Sequence, residues 1–399
     1  MEMSTSYRYL APATRIYSGV DVLENVDREA QRLGAKRALI ICSETLSKTS
    51  DLLERVKNVL GERFIGAYTG AKRESPIPLL DAGVLVAKEV QPDLIIAVGG
   101  GSAVVTARAI TIMLGENRSI DEMYTKHVDG EAPIVYRALK PKIPNIVVLT
   151  TPTTAVDRGG AAVWDENPPH RKEIYDPKTR PLGIIVDGNA LLTAPLALYL
   201  DTSLTTFSGL VGAAQSRNLS PLAYTDVRQG VELSVKWLPQ LVERSDDPHP
   251  RLHLATAALL ANRASQSTYG RASGRTTGMG RQLRYRYQQI GQGAAGCVMA
   301  LIHLRLNREN DAEGQAQLAE MLGVRGRTMS FMEAAEAAER HIVEVFQDFG
   351  APTRLRDLGV LQEDFEVLAE AEVNEPAFGE DSNRITDKQE LLQMLSEGW

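Results

Sequence analysis

Short apolar runs alternate with amphipathic stretches through the first half of the chain. Runs rich in Leu, Ile, Val and Ala, which are typical of buried strands, lie at 37–43, 64–68, 93–99, 145–150 and 182–186. Stretches with apolar residues three and four positions apart, which are typical of helices, lie at 22–33, 46–60, 78–90 and 103–114. Alternation at this spacing predicts βαβ units, in which helices cover both faces of a parallel sheet.

The pattern changes at about residue 189. Before it, the polar stretch 157–179 is rich in proline and indicates a loop or hairpin ahead of the last strand. Beyond it, long helical patterns follow one another at 221–241, 252–266, 291–306, 315–322, 331–349 and 387–395. We therefore predict an α/β N-terminal domain on a parallel sheet over residues 1–188 and an all-α C-terminal domain over residues 189–399.

Three consecutive glycines end the strand pattern at 93–99. Gly99, Gly100, Gly101 and Ser102 lead directly into a helical pattern, and such glycines let backbone N–H groups at a helix N-terminus approach a phosphate. The motif is not the G-x-G-x-x-G fingerprint, and a plain tight turn is the alternative interpretation. We predict a pyrophosphate-binding turn. Gly100→Val is expected to block the phosphate and leave the fold largely intact, because the side chain would point away from the core.

Composition and charge exclude several classes of protein. A net charge of −7 argues against a nucleic-acid binder, and two cysteines are too few for a disulfide framework or a Cys-rich metal site. The N-terminal residues are polar, and no run of 18 apolar residues exists for a membrane span. We expect a cytoplasmic protein without nucleic-acid or membrane partners.

Several motifs occur in a characteristic order along almost the whole chain. They lie at 33–41, 93–102, 107–110, 148–154, 184–187 and 193–198, and they include Gly-Gly-Gly-Ser and Pro-Thr-Thr. With them the chain resembles the iron-containing (group III) alcohol dehydrogenase superfamily, and most of all its maleylacetate reductase branch. The resemblance implies the fold shared with dehydroquinate synthase: an N-terminal dinucleotide-binding domain, an all-helical domain, and a homodimer or larger homo-oligomer.

The resemblance also implies roles for particular residues. The 99–102 turn would hold the pyrophosphate of NAD or NADP, and Thr153 and Thr154 would line the nicotinamide side. Ser43 occupies a position where an acidic residue often binds the adenosine ribose, so a 2′-phosphate would meet no negative charge there. NAD and NADP therefore both remain candidates for the cofactor. After Pro-Thr-Thr the usual small Gly-Ser-Glu-like turn is replaced by Ala155-Val-Asp-Arg-Gly-Gly160, which predicts a reshaped nicotinamide pocket.

The metal-binding pattern of the superfamily is missing. Relatives that bind a divalent ion take an Asp and a His four residues later from the first helical turns, where this chain has Thr205 and Gly209. No histidine lies between 170 and 249 or between 253 and 303, and Gln292 is only a candidate for a later ligand position. Because catalytic metals need about three N or O ligands in fixed geometry, we predict that the protein holds no metal.

Arginine is concentrated in one part of the predicted helical domain. Residues 248–308 contain nine arginines but no lysine, aspartate or glutamate. One interpretation is that they pair with acids elsewhere in the chain or in a second subunit. The other is that Arg271, Arg275 and Arg281, together with Tyr269 in a Gly/Ser/Thr-rich stretch, line the interdomain cleft and bind a carboxylate or phosphate. These four residues are our candidate catalytic residues.

Three functions are compatible with these features. The first is a metal-independent NAD(P)-linked reductase or dehydrogenase acting on a small carboxylated or otherwise anionic carbonyl or alcohol substrate, with arginine and tyrosine binding the acid and donating the proton. The second is a non-redox lyase, isomerase or cyclase of specialised metabolism that kept the fold but lost hydride transfer. The third is a non-catalytic binding subunit.

Overall fold

The computed structural model describes residues 6–126, 133–167, 170–267, 277–375 and 385–399. They form two compact units. The α/β unit comprises Pro12–Pro195 and Asp246–Ala255, and the helical unit comprises the residues up to Ala11, Leu196–Ser245 and Thr256–Trp399. The predicted boundary at residue 188 stays a prediction.

The strands of the α/β unit are β1 (Arg15–Gly19), β2 (Ala38–Ile41), β3 (Phe64–Tyr68), β4 (Leu94–Gly99), β5 (Asn145–Leu149), β6 (Gly160–Trp164), β7 (Arg171–Tyr175) and β8 (Gly183–Asp187). In the described part of the chain, six of them form one parallel sheet in the order β1-β8-β5-β4-β2-β3. β6 and β7 form a separate antiparallel hairpin within the stretch where the sequence indicated a loop or hairpin. The predicted parallel sheet is confirmed.

The helices of this unit are α1 (Asn25–Arg32), α2 (Glu44–Thr49), α3 (Leu52–Leu60), α4 (Ile77–Val90), α5 (Gly101–Glu116), α6 (Ile120–Met123) and α7 (Gly188–Leu191). Strands β2, β4, β5 and β8 are buried along their whole length. Apolar side chains of α1 and α3 pack against them in one hydrophobic core. Burial on both faces explains why these strands appear in the sequence as continuous apolar runs rather than as alternating patterns.

The helical unit is built from α8 (Leu196–Ala214), α9 (Pro221–Glu243), the second half of α10 (Pro248–Ala264), α11 (Thr277–Arg286), α12 (Gln292–Asn307), α13 (Ala312–Met321), α14 (Phe331–Asp348), α15 (Phe365–Asn374) and α16 (Lys388–Glu397). α8 and α12 approach closely, because a Cβ at Gly296 would lie 2.5 Å from the Ser208 Oγ atom. A second hydrophobic core joins α11, α12, α15 and α16. The predicted all-helical C-terminal domain is confirmed.

The beginning of α10 belongs to the α/β unit. Its buried Arg251 donates hydrogen bonds to the carbonyl oxygens of Leu191 and Ala194, at 2.6 and 2.7 Å. None of the helices in the described ranges is both long and apolar enough to cross a bilayer.

Candidate functional site

The order of the strands creates a switch point between β2 and β4. From β2 the chain continues to β3 on one side of the sheet, whereas from β4 it continues to β5 on the other side. The two strands pair in register, with Ile41 opposite Ala97, so the residues that follow them lie at the same edge of the sheet. In open α/β sheets, ligands bind outside the carboxyl ends of the strands at such a point. Ser43 and the 99–102 turn are the residues that occupy it.

The glycine turn packs closely against the threonine-rich turn that follows β5. Gly99 has a φ of +145°, a conformation that favours glycine. A Cβ at Gly100 would lie 2.5 Å from the Thr151 Oγ1 atom, and one at Gly101 would lie 3.0 Å from the Thr153 Oγ1 atom. The structure therefore brings the two predicted motifs into contact. Glycine at 100 and 101 leaves room for the side chains of Thr151 and Thr153, which a Cβ would crowd.

This contact corrects one expectation. We predicted that Gly100→Val would leave the fold largely intact because its side chain would avoid the core. That prediction is wrong, because the added atoms would meet the side chain of Thr151, which is itself buried. Loss of nucleotide binding in that variant would have two possible causes, so it is not a suitable test of the turn.

The N-terminus of α5 has the properties of an anion site. In the described structure neither a side-chain cap nor an acidic residue is present in its first turn. The first N–H groups of a helix have no partner within the helix, and the helix dipole favours negative charge at this end. Phosphate binding at Gly99–Ser102 is compatible with this geometry and stays a prediction.

Ser43 has a structural role besides its predicted one. Its Oγ atom accepts a hydrogen bond from the Leu46 N–H at 3.1 Å and so caps α2. Next to it, Glu44 pairs with Lys48 at 2.5 Å, and the hydrogen bond from Lys48 lowers the pKa of the Glu44 carboxyl. The carboxylate that follows Ser43 in the chain is thus paired with a cation.

The segment after Thr154 is held by a residue that the sequence analysis missed. Arg108 lies in the middle of α5, its side chain is buried, and it donates hydrogen bonds to the carbonyl oxygens of Ala155, Val156 and Gly160 at 2.8, 3.2 and 2.8 Å. Burial lowers the pKa of its guanidinium to about 9, so the group is still charged at neutral pH. The available signal was a single charged residue within an otherwise apolar helix pattern.

The same segment is also held from its other side. Arg180 donates a hydrogen bond to the Asp157 carbonyl oxygen at 2.5 Å and lies 3.5 Å from the Asp157 carboxylate. Burial raises the pKa of the Asp157 carboxyl, and the charges of Arg180 and Arg108 oppose this effect. Arg108 on α5 and Arg180 just before β8 therefore both hold the part of the chain where the usual Gly-Ser-Glu-like turn is missing.

The arginine-rich region is described only in part. Tyr269, Arg271 and Arg275 lie outside the described residues, and Arg281 lies half-buried on α11. Four other arginines of the region pair with acids from elsewhere in the chain: Arg263 with Asp226, Arg286 with Asp364, and Arg305 and Arg308 with Glu339. For these four the pairing interpretation is correct. Convergence of Arg271, Arg275 and Arg281 on an anion stays a prediction.

The residues at the expected metal positions do not fit a metal ion. Both lie on α8, where the Thr205 hydroxyl donates to the Asp201 carbonyl oxygen at 3.0 Å and Gly209 has no side chain. The Asp201 carboxylate accepts a hydrogen bond from the Ala294 N–H at 3.1 Å, and Gln292 is exposed. Nowhere in the described ranges do three His, Cys, Asp or Glu side chains lie close enough to hold a metal. Residues 268–276 contain none of these four residue types.

Comparison with known proteins gives matches over both units. Residues 13–188 match the family described as iron-containing alcohol dehydrogenase, and residues 214–399 match the C-terminal domain of the Fe-containing alcohol dehydrogenase family. The chain is 25% identical to an NAD-dependent methanol dehydrogenase of Bacillus methanolicus, over 97% of this chain and 98% of the relative. It is 22% identical to maleylacetate reductase 1 of Rhodococcus opacus, over 100% and 98%.

A solved structure of a 1,3-propanediol oxidoreductase has the same fold. It superposes with a TM-score of 0.84 at 24% identity, covering 99% of this chain and all of the other.

Proposed function

The chain belongs to the iron-containing alcohol dehydrogenase family and is an oxidoreductase, and we propose that it is a metal-independent, NAD(P)-linked reductase or dehydrogenase of small anionic carbonyl or alcohol compounds. The observation that carries the proposal is the glycine turn at the β2–β4 switch point, packed against the threonine turn after β5. Nucleotide pyrophosphates bind at such turns because the N–H groups of a helix N-terminus point at them.

The nucleotide is held by residues of the α/β unit. Gly99–Ser102 bind its pyrophosphate through backbone N–H groups, and Ser43 contacts the adenosine ribose. Thr153 and Thr154 orient the nicotinamide, which when bound exchanges a hydride with the carbonyl carbon of the substrate. Since Ser43 carries no charge, a 2′-phosphate is not repelled there, and the nucleotide is NAD or NADP.

The substrate is held by arginine instead of a metal. Thr205 and Gly209, the α8 residues at the expected metal positions, have no carboxylate or imidazole that could ligate iron. The substrate oxygen therefore needs another electrophile. Arg271, Arg275 and Arg281 bind the anionic group and stabilise negative charge on the reacting oxygen, and Tyr269 donates the proton. Support comes from the sequence, in which residues 248–308 combine nine arginines with no acidic residue.

The first experiment asks whether the protein binds and oxidises a reduced nucleotide. Thermal unfolding is measured with and without NADH and NADPH, because a ligand at 100 times its Kd stabilises the native state by about 2.7 kcal/mol. Loss of reduced-nicotinamide absorbance is then followed with succinic semialdehyde, an aldehyde that carries a carboxylate, and with butyraldehyde, a neutral aldehyde of the same chain length. We expect stabilisation by at least one nucleotide and faster turnover of the carboxylated compound.

Two results would contradict the proposal. No thermal shift with either nucleotide would favour the non-redox lyase, isomerase or cyclase, or the non-catalytic subunit. Nucleotide binding together with faster turnover of butyraldehyde would preserve the redox function but refute the anionic substrate.

A further inference from the structure

Arg108 is a buried cation in an apolar helix. Its α5 neighbours Ala107, Ala109 and Ile110 are buried, as is Val104 one turn earlier. Burying a charge costs several kcal/mol unless hydrogen bonds and nearby opposite charge compensate it. Arg108 therefore requires strong partners in the folded protein, and all of its hydrogen bonds described above go to the 155–160 segment.

The partners are peptide carbonyls rather than a carboxylate. One terminal nitrogen of the guanidinium donates to Ala155 and Val156, and the other donates to Gly160. The planar fork thus spans the segment from its first to its last residue. A lysine ammonium is a single point of charge on a shorter side chain and could not reach both ends at once.

The 155–160 segment is coupled to the threonine turn. The Ala155 N–H donates to the Thr153 Oγ1 atom at 3.1 Å, and the Val156 N–H donates to the Thr153 carbonyl oxygen at 3.5 Å. Thr153 in turn lies against Gly101 at the start of α5. Helix α5 therefore contacts this part of the chain twice, through its first residue and, two turns later, through Arg108.

We propose that Arg108 is a positioning residue for hydride transfer, which acts by fixing the 155–160 segment and through it the orientation of Thr153. This inference rests on the proposed function, in which Thr153 lies beside the nicotinamide. The role differs from pyrophosphate binding, because the hydrogen bonds of Arg108 described above go to Ala155, Val156 and Gly160 and not to the 99–102 turn. Loss of Arg108 should therefore change the chemical step more than the affinity for the nucleotide.

The test compares Arg108→Lys and Arg108→Met with the wild-type enzyme. Nucleotide Kd, kcat and the deuterium isotope effect on kcat with 4-deuterated NADH or NADPH are measured below the melting temperature of each variant. We expect kcat to fall about 10- to 100-fold, because small displacements of reacting groups have effects of this size. The isotope effect should rise as hydride transfer becomes rate-limiting, and Kd should change less than about threefold. Compared with Arg108→Met, Arg108→Lys should recover more of the wild-type stability than of the wild-type activity.

Arg251→Met is the matched control. Arg251 is also buried in the α/β unit and also donates to two carbonyl oxygens, but its partners Leu191 and Ala194 lie outside the 155–160 segment. The Arg251→Met substitution should lower the melting temperature without raising the isotope effect.

The possible failures are distinguishable. Wild-type hydride transfer with an unchanged isotope effect in both Arg108 variants would refute the positioning role alone. A wild-type protein without any hydride transfer would refute the proposed function, and with it the role of Arg108.

Discussion

Gly100 shows how one residue can serve both packing and binding. Its missing side chain makes room for the Thr151 hydroxyl and, in the proposed function, for a phosphate. A substitution therefore disturbs two properties at once. Separating them requires a variant in which the packing conflict is removed and only the obstacle to the ligand is left.

We predict that Gly100→Ala lowers the free energy of unfolding by about 1–3 kcal/mol, because its Cβ would overlap the Thr151 side chain. In a Thr151→Ala background this overlap is absent, so the added cost of Gly100→Ala should become smaller. In the proposed function nucleotide affinity should stay reduced in the double variant, because Gly100 is the N-cap of α5 and a Cβ at this position limits how closely a phosphate can approach the backbone N–H groups. Denaturant unfolding and nucleotide titration on all four proteins measure both effects. Recovery of nucleotide affinity along with stability would contradict the assignment of the turn.

Glycines on helices α8 and α12 differ in how closely their surroundings are packed. On α8, a Cβ at Gly209 would meet no atom within 4 Å, and the residue is exposed. On α12, a Cβ at Gly293 would collide with the carbonyl oxygen of Asp201 on α8. The first glycine leaves an unfilled position where relatives place a metal ligand, whereas the second permits the close approach of two helices.

Substitution by alanine should therefore change stability in opposite directions. We expect Gly209→Ala to raise the free energy of unfolding by about 0.5–1 kcal/mol, because glycine inside a helix is entropically unfavourable. Gly293→Ala should lower it by about 1–3 kcal/mol, because a backbone must move. Urea denaturation measures both, with an unchanged m value as the control for two-state unfolding. Destabilisation by Gly209→Ala would show that this position is closely packed.

For the whole molecule, the distribution of charged residues decides what the protein can bind. Several arginines of region 248–308 pair with acidic residues of the same chain. On α8, Thr205 and Gly209 stand where metal-binding relatives have an Asp and a His. Arginine suits carboxylates and phosphates, whereas divalent cations need carboxylate or imidazole ligands, so we predict that the protein binds an anion and holds no metal.

We predict that the purified protein contains no stoichiometric iron or zinc. Prolonged dialysis against a chelator should leave both the melting temperature and the turnover unchanged, because Thr205 and Gly209 supply no carboxylate or imidazole at the expected metal positions. Elemental analysis by mass spectrometry gives the metal content, and re-addition of iron or zinc serves as the control. One equivalent of metal per chain, removable with loss of activity, would be incompatible with the proposed mechanism.

The sequence alone was sufficient for the alternation of strands and helices, the glycine turn and the helical second half. These features depend on local periodicity and on the backbone freedom of glycine, which a short stretch of chain carries by itself. The sequence also shows Thr205 and Gly209 at the positions where metal-binding relatives have an Asp and a His, and the absence of a metal stays a prediction.

Only the tertiary structure determined which strands are neighbours and which distant residues meet. The β2–β4 switch point, the contact between Gly100 and Thr151, and the hydrogen bonds from Arg108 to the 155–160 segment all join parts of the chain that are far apart in sequence. Local periodicity fixes which face of an element is buried but not which partner covers it. That choice follows from the packing of all elements together, since buried charges and polar groups are stable only where the complete fold supplies their partners.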